Sequence, residues 1–333
     1  MKQRTLNSIR TAFGLYWLSD DLDLPELPEL LGNYGDLSSK LVVVASESPN
    51  SWPEHEPGPY DTPFVQIKHG DLRLKVEGIG QFRITQGKHI AWFRDHVDVS
   101  DQDIRTFLLG SAVGALLIQR GMLVLHGNAL EKNGEAIICL GRSGAGKSTL
   151  AYTLMTQGWR VLADDLAAVT PQGFVLPGIP RIKLWYDSAQ SFGLDPESLP
   201  PIRQGMHKYQ LMGDILQQAP NAVPLKALYL IHQLRKNLSH SNEGKIIPIT
   251  SQKLASVRLR EQSFRPRFVR GLGQEGSNFV ALARLQQSVP VSDLFLPSGI
   301  PAMQRWLIEQ ELLNSSSNCI EKLASDDMEQ RYT

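Results

Sequence analysis

The segment GRSGAGKS, residues 141 to 148, sets three glycines, a lysine and a hydroxyl at the spacing G-x-x-x-x-G-K-[ST]. Glycine tolerates the backbone angles that let a loop curl until successive N–H groups converge on one anion. In such a loop Gly141, Arg142, Ser143, Gly144, Ala145 and Gly146 turn their amides toward phosphate oxygens. Lys147 neutralises the β and γ phosphates, and the Ser148 hydroxyl ligates magnesium. Thr149 belongs to the first turn of the following helix, whose positive end points at the same anion. The chemistry predicted is nucleoside triphosphate binding, with ATP and Mg2+ as ligands. The loop alone does not separate a kinase from an ATPase, a GTPase or a transporter motor.

Two acids follow one helix later. In RVLADDL an apolar strand runs into Asp164 and Asp165. Adjacent strand residues point to opposite faces, so the two carboxylates take different tasks. One faces the metal, directly or through water; the other faces the acceptor, where it takes a proton as a hydroxyl attacks the γ phosphate. The plainer alternative is a strand that stops in water with two solvated acids. His126, in LVLHGNAL, ends the strand before the loop unit, where its side chain can reach the same cleft. On its own, a histidine near an apolar strand reads as a hydrogen-bonded core residue.

These groups need a scaffold, and the chain writes one. EAIICL is a short apolar run suited to a buried strand before the loop, and STLAYTLMTQ is an apolar-faced helix closed by Gly158. From residue 122 onward strands alternate with helices, which predicts an α/β domain with a mixed sheet, spanning 105–312. Ahead of it, residues 71–95 alternate apolar and polar with Gly78, Gly80 and Gly87 between runs, the pattern of antiparallel strands joined by tight turns. A smaller β-rich unit is therefore expected over 1–104, interrupted by a loop at 46–63 that holds five prolines. Ser100 reads as the N-cap of one buried helix reaching Gly121, and residues 313–333 as a polar tail.

Acids and bases cancel, 34 against 34, in a chain of 333 residues with 42% hydrophobic and 20% charged residues. That balance argues against tracking a nucleic-acid backbone or lying on an anionic membrane, and favours a small-molecule or protein partner. Two cysteines, Cys139 and Cys319, leave no material for a disulfide framework or a zinc site, so a reducing cytoplasm is the expected location. The basic stretch RLREQSFRPRFVRG, 258–271, reads as a solvated helix followed by a turn. His232, in KALYLIHQL, reads as a structural residue of a core strand.

Taken together, His126-Gly127, GRSGAGKS and LADD resemble the catalytic domain of the HPr kinase/phosphorylase family over roughly residues 105 to 310. The resemblance implies a P-loop kinase domain akin to that of phosphoenolpyruvate carboxykinases, with Asp165 as general base toward a protein serine and Asp164 beside it. His126 would position phosphate or base, and oligomeric assembly is implied by the same analogy. Three departures stand out. Where the family carries a metal-binding glutamate in an EIRGLG context, this chain reads LPGIPRIKLWYD, and Arg181 and Lys183 bring positive charge suited to phosphates or acceptor. SFGLD places Ser191 where a base is expected. In PPIRQGMHKYQ, Arg203 and Gly205 persist, Met206 replaces an arginine of the phosphate-removing segment, and Lys208 adds a further cation. The expectation is a serine kinase without efficient phosphorylase activity. Its amino-terminal part does not match that of HPr kinases, and the variant pattern is similar to relatives that phosphorylate ribosomal precursor peptides, including those of lasso peptides. The acceptor expected is thus an HPr-like protein or a precursor peptide. The alternative is an ATP-gated binding protein without phosphoryl transfer.

Overall fold

The computed structural model describes residues 9–30, 38–203, 205–212, 221–233 and 243–310; the tail expected at 313–333 lies outside them, as does Cys319. Seven strands, β1 (Arg10–Ala12), β2 (Leu15–Ser19), β3 (Leu41–Ser46), β4 (Val65–Lys68), β5 (Asp71–Val76), β6 (Gly80–Thr85) and β7 (His89–Arg94), form one mixed sheet in the order β1-β2-β3-β7-β6-β5-β4. The period-two pattern of 71–95 is realised as β5, β6 and β7. Leu72 sits opposite Ile84, and Ile84 opposite Ile90, so one face of the sheet is a fully buried aliphatic row. The proline-rich stretch is the connection from β3 to β4, with a single 3-10 turn at Pro49–Ser51.

The helix expected from Ser100 to Gly121 is broken into three parts. Ser100 caps it, its hydroxyl accepting from the Asp103 amide at 3.1 Å. Then come α1 (Asp101–Phe107), a π-helical turn at Leu108–Ala112 and α2 (Val113–Gln119). The π turn inserts where Gly110 lowers helix propensity, and such turns recur at functional sites. Positions 104 and 105 both lie inside α1. A single apolar core runs from the seven-stranded sheet (Leu72, Ile84, Ile90) through this helix (Ile104, Leu108, Leu116) to Ala168, Phe264 and Phe268.

The second sheet contains β8 (Leu123–Leu125), β9 (Gly127–Lys132), β10 (Glu135–Leu140), β11 (Arg160–Ala163), β12 (Ala167–Val169), β13 (Phe174–Val175), β16 (Val223–Gln233), β17 (Lys245–Pro248) and β18 (Val291–Leu296); β14 (Ile182–Trp185) and β15 (Lys208–Leu211) pair separately. Strands β10, β16 and β18 run parallel, with β9 antiparallel to β10 and β17 antiparallel to β18. Helices α3 (Lys147–Thr156) and α8 (Ile300–Glu309) cover the face carrying Ile137, Cys139 and Tyr229. Helices α5 (Gln252–Glu261) and α7 (Glu275–Ser288) cover the opposite face, with Ile138, Leu140, Leu228 and Leu230. Two short helices, α4 (Tyr186–Ser191) and α6 (Pro266–Gly271), complete the set. The fold is α/β, a mixed sheet between helical layers, joined to a smaller β-rich amino-terminal sheet. Among the described residues no helix is long and apolar enough to cross a membrane.

Candidate functional site

Open α/β sheets bind ligands outside the carboxyl ends of their parallel strands, and β10 ends there at Leu140. Gly141 follows with φ 153°, and a Cβ on it would lie 3.1 Å from the Ile231 carbonyl oxygen of β16. Only glycine lets the loop leave the sheet so close to its neighbour. Gly146 sits at the N-cap of α3 with φ 96°, in the left-handed region that a side chain resists. The loop from 141 to 146 is therefore open at its start and turned at its end, with Ser148 and Thr149 in the first turn of α3. Lys147 is buried, and its Nζ donates to the carbonyls of Gly141 at 2.7 Å and Arg142 at 3.1 Å. Burial pulls the ammonium below its ordinary value, while Asp165 and Asp164 oppose that shift.

The acids do not stand within a strand, as the reading of RVLADDL as one continuous strand expects. β11 ends at Ala163, and Asp165 takes φ 70°, so the chain bends at the carboxylates and alternation of strand faces does not set their directions. The bend sends the two apart in another way. Asp164 is 2% exposed; its Oδ2 accepts from the Lys183 backbone amide at 2.9 Å, and its Oδ1 has no partner. Burial, and then the neighbouring Asp165, raise its pKa to about 6. Asp165 pairs with the Lys183 ammonium. Burial works to raise this carboxyl too, but Lys183, Arg181 and Lys208 outweigh it and hold the group well below the ordinary range.

His126 lies between β8 and β9. Its Nδ1 donates to the backbone carbonyl of Asp165 at 3.1 Å, which leaves Nε2 as the acceptor of a neutral ring. Burial and then Lys147 push its pKa down. The histidine thus ties the strand before the loop to the turn that carries the acids.

Lys183 comes from β14, facing the acids, while Ile182 and Leu184 point into the core beside α3. Arg181 is buried and its Nε has no partner. Lys208, opposite Trp185 in the β14–β15 pair, sits 5.4 Å from the centre of that indole. Four cations, Lys147, Arg181, Lys183 and Lys208, act on the two carboxylates. The surplus of positive charge suits a triphosphate. Arg203 is drawn elsewhere, toward Asp103 of α1 at 3.8 Å.

The segment after α5, whose sequence reads as a solvated helix and turn, lies against the site. Gln262, Ser263, Phe264 and Arg265 line a cavity of about 550 Å³ together with His126, Gly141, Arg142 and Glu261. The segment is fastened to β8: Gln262 O accepts from the His126 amide at 2.8 Å, and the Phe264 amide donates to Val124 O at 2.8 Å. The basic, phenylalanine-bearing run was the available signal, but overall neutrality made a solvated surface the plainer reading. His232 is tied to Asp293 at 2.6 Å, with Arg258 on the same carboxylate, as a structural role requires.

No family model matches this chain. Over 48 residues it is 42% identical to the HPr kinase/phosphorylase of Chloroherpeton thalassium (strain ATCC 35110 / GB-78), a match that spans 14% of each protein. The Hpr(Ser) kinase/phosphatase structure from Coxiella burnetii aligns with 58% of this chain and 99% of that one, at 11% identity and a TM-score of 0.24, a likeness too slight to argue from. The matched stretch is thus similar to part of an HPr kinase/phosphorylase, and the chain spans only about a seventh of that relative's length.

Proposed function

We propose that the protein is a kinase that moves the γ phosphate of ATP to the serine hydroxyl of a protein or peptide, in the cytoplasm and without efficient reverse phosphorolysis. The observation that carries this reading is the pair of unlike carboxylates, one buried with a free oxygen and one exposed to Lys183, facing the phosphate loop under an excess of cations. The loop amides, Lys147, Lys183 and Lys208 bind the phosphates. Ser148 and Asp164 fit magnesium: the unpartnered Asp164 Oδ1 is an available oxygen, and this ion keeps several waters and takes few protein ligands. Among the described residues no three acids, histidines or cysteines gather into a site of their own, so the phosphates must complete it. When bound, the ion offsets charge between phosphate oxygens. Asp165 accepts the acceptor proton once Lys183 turns toward the phosphates, and His126 fixes the Asp165 backbone in place.

The Asp165–Lys183 pair also favours a second reading, in which ATP only draws Lys183 away and opens a partner surface without transfer. Intact-mass measurement separates the two. The protein is incubated with ATP, magnesium and a panel of HPr and candidate precursor peptides, beside Lys147→Ala and Asp165→Ala controls. A kinase adds phosphate mass to an acceptor, and both variants lose that gain. Undiminished transfer by Asp165→Ala would refute the assignment of the base.

A further inference from the structure

The cavity beside the phosphate loop contains a cation that the reading above does not use. Arg265 stands at its edge with φ 43°, a left-handed conformation uncommon for a residue other than glycine. Its guanidinium is held from three sides. Nη2 donates to the Ser111 hydroxyl at 2.8 Å, and the group lies 5.6 Å and 5.5 Å from the ring centres of Phe264 and Phe268. Ser111 is buried in the π-helical turn, so the one irregular turn of that helix supplies the hydroxyl that aims the arginine. No carboxylate among the described residues pairs with it.

Phe264 is held as firmly. Its ring rests on Gly114 of α2, where a Cβ would come within 2.2 Å. Arg265 is thus a positioned cation with no counter-ion among the described residues, in contrast to Arg258 and Arg260, which pair with Asp293 and Glu275. The cavity it borders also has Gly141 and Arg142 in its wall, and the carbonyls of those two residues hold the Lys147 ammonium. An oxyanion entering the cavity meets Arg265 and Arg142 on its walls, with Glu261 the one carboxylate among the lining residues.

We infer that Arg265 is a further phosphate-binding residue, contacting the terminal phosphate of the nucleotide from the cavity that Gly141, Arg142 and His126 also line. This rests on the triphosphate-binding reading of the loop and adds a residue that the loop pattern does not include. A terminal-phosphate contact affects ATP and inorganic tripolyphosphate, whose third phosphate fills the same place, and spares ADP.

The test is calorimetric titration of the full chain with ATP, ADP and tripolyphosphate in magnesium, comparing wild type with Arg265→Gln, Arg265→Lys and Ser111→Ala. Arg265→Gln should weaken ATP and tripolyphosphate about tenfold or more, as loss of a charge-assisted hydrogen bond does, and leave ADP within about twofold. Arg265→Lys should recover part of the loss, and Ser111→Ala should show a smaller loss of the same selectivity. A merely structural role weakens all three ligands alike, so equal losses overturn the inference, as does unchanged binding of ATP. If wild type binds none of the three, the triphosphate reading fails and takes the inference with it. If wild type binds and Arg265→Gln matches it, only the inference fails.

Discussion

Replacing Asp164 by Asn tests the electrostatics of the site without any acceptor. The amide is close to the carboxylate in shape and retains an oxygen for the Lys183 backbone N–H. In the native protein the carboxyl is raised from 3.8 to about 6, by burial first and by Asp165 second. A raised acid binds its proton more tightly when folded, so the native protein loses stability as pH climbs through this interval, and the loss is complete above the folded value. The shift corresponds to roughly 3 kcal/mol, of which about 2 kcal/mol falls between about pH 4.5 and 7.5. Asp164→Asn cannot pay that cost. Urea unfolding of both proteins at several pH values should therefore show the variant gaining about 2 kcal/mol on wild type across that range, with the gain flattening above about pH 7. A difference that stays constant with pH would mean that Asp164 titrates normally. A difference that shrinks as pH rises would mean that the surrounding cations, not burial, govern this carboxyl.

Two substitutions probe the framework. Lys183→Met strips Asp165 of its ion-pair partner beside a second acid, and breaking a buried pair on one side costs about 3 kcal/mol. A clear loss in urea unfolding at neutral pH, together with weaker ATP binding by calorimetry, is expected; native-like values in both would remove Lys183 from the site. Gly114→Ala places a methyl group 2.2 Å from the Phe264 ring, and overpacking of this kind costs roughly 1–3 kcal/mol. Thermal unfolding should fall by several degrees, and an unchanged midpoint would show that Phe264 is free to move.

The shape of the loop at 141–146 was legible because it is carried by its own backbone. Curled amides need Gly141, Gly144 and Gly146, and the strand before and helix after are each written in local apolar patterns. The antiparallel run β5 to β7 was legible for the same reason, through its period of two. The acids were found but their directions were not, because a bend with positive φ at Asp165 has no signature in a residue that also suits strand ends. The π turn was hidden by an apolar stretch that fits an ordinary helix equally well. Arg265 was hidden for a different reason: its setting joins Ser111, Gly114 and Phe268, and that association exists only once α2 and α6 have packed against each other. Local signals report a residue's own backbone; they do not report which distant hydroxyl will hold its side chain.

The same long-range packing explains how one small cluster can hold two carboxylates in different states. Both lie on one turn, so their mutual repulsion alone would raise both values. The separation arises from what the β14–β15 pair offers each carboxylate. Its backbone amide reaches Asp164, and its Lys183 ammonium reaches Asp165. Asp164 therefore accepts only a backbone N–H and keeps a pKa raised by its burial, whereas Asp165 pairs with a full charge that holds its pKa down. On the proposed kinase reading, a triphosphate settling on the loop would compete for that same ammonium with up to four negative charges against one. As Lys183 shifts toward phosphate, Asp165 loses the interaction that depresses its pKa, and its affinity for a proton rises. Under this reading the base is quiet in the empty enzyme and becomes basic only with nucleotide in place, which ties proton acceptance to the presence of a phosphate to transfer.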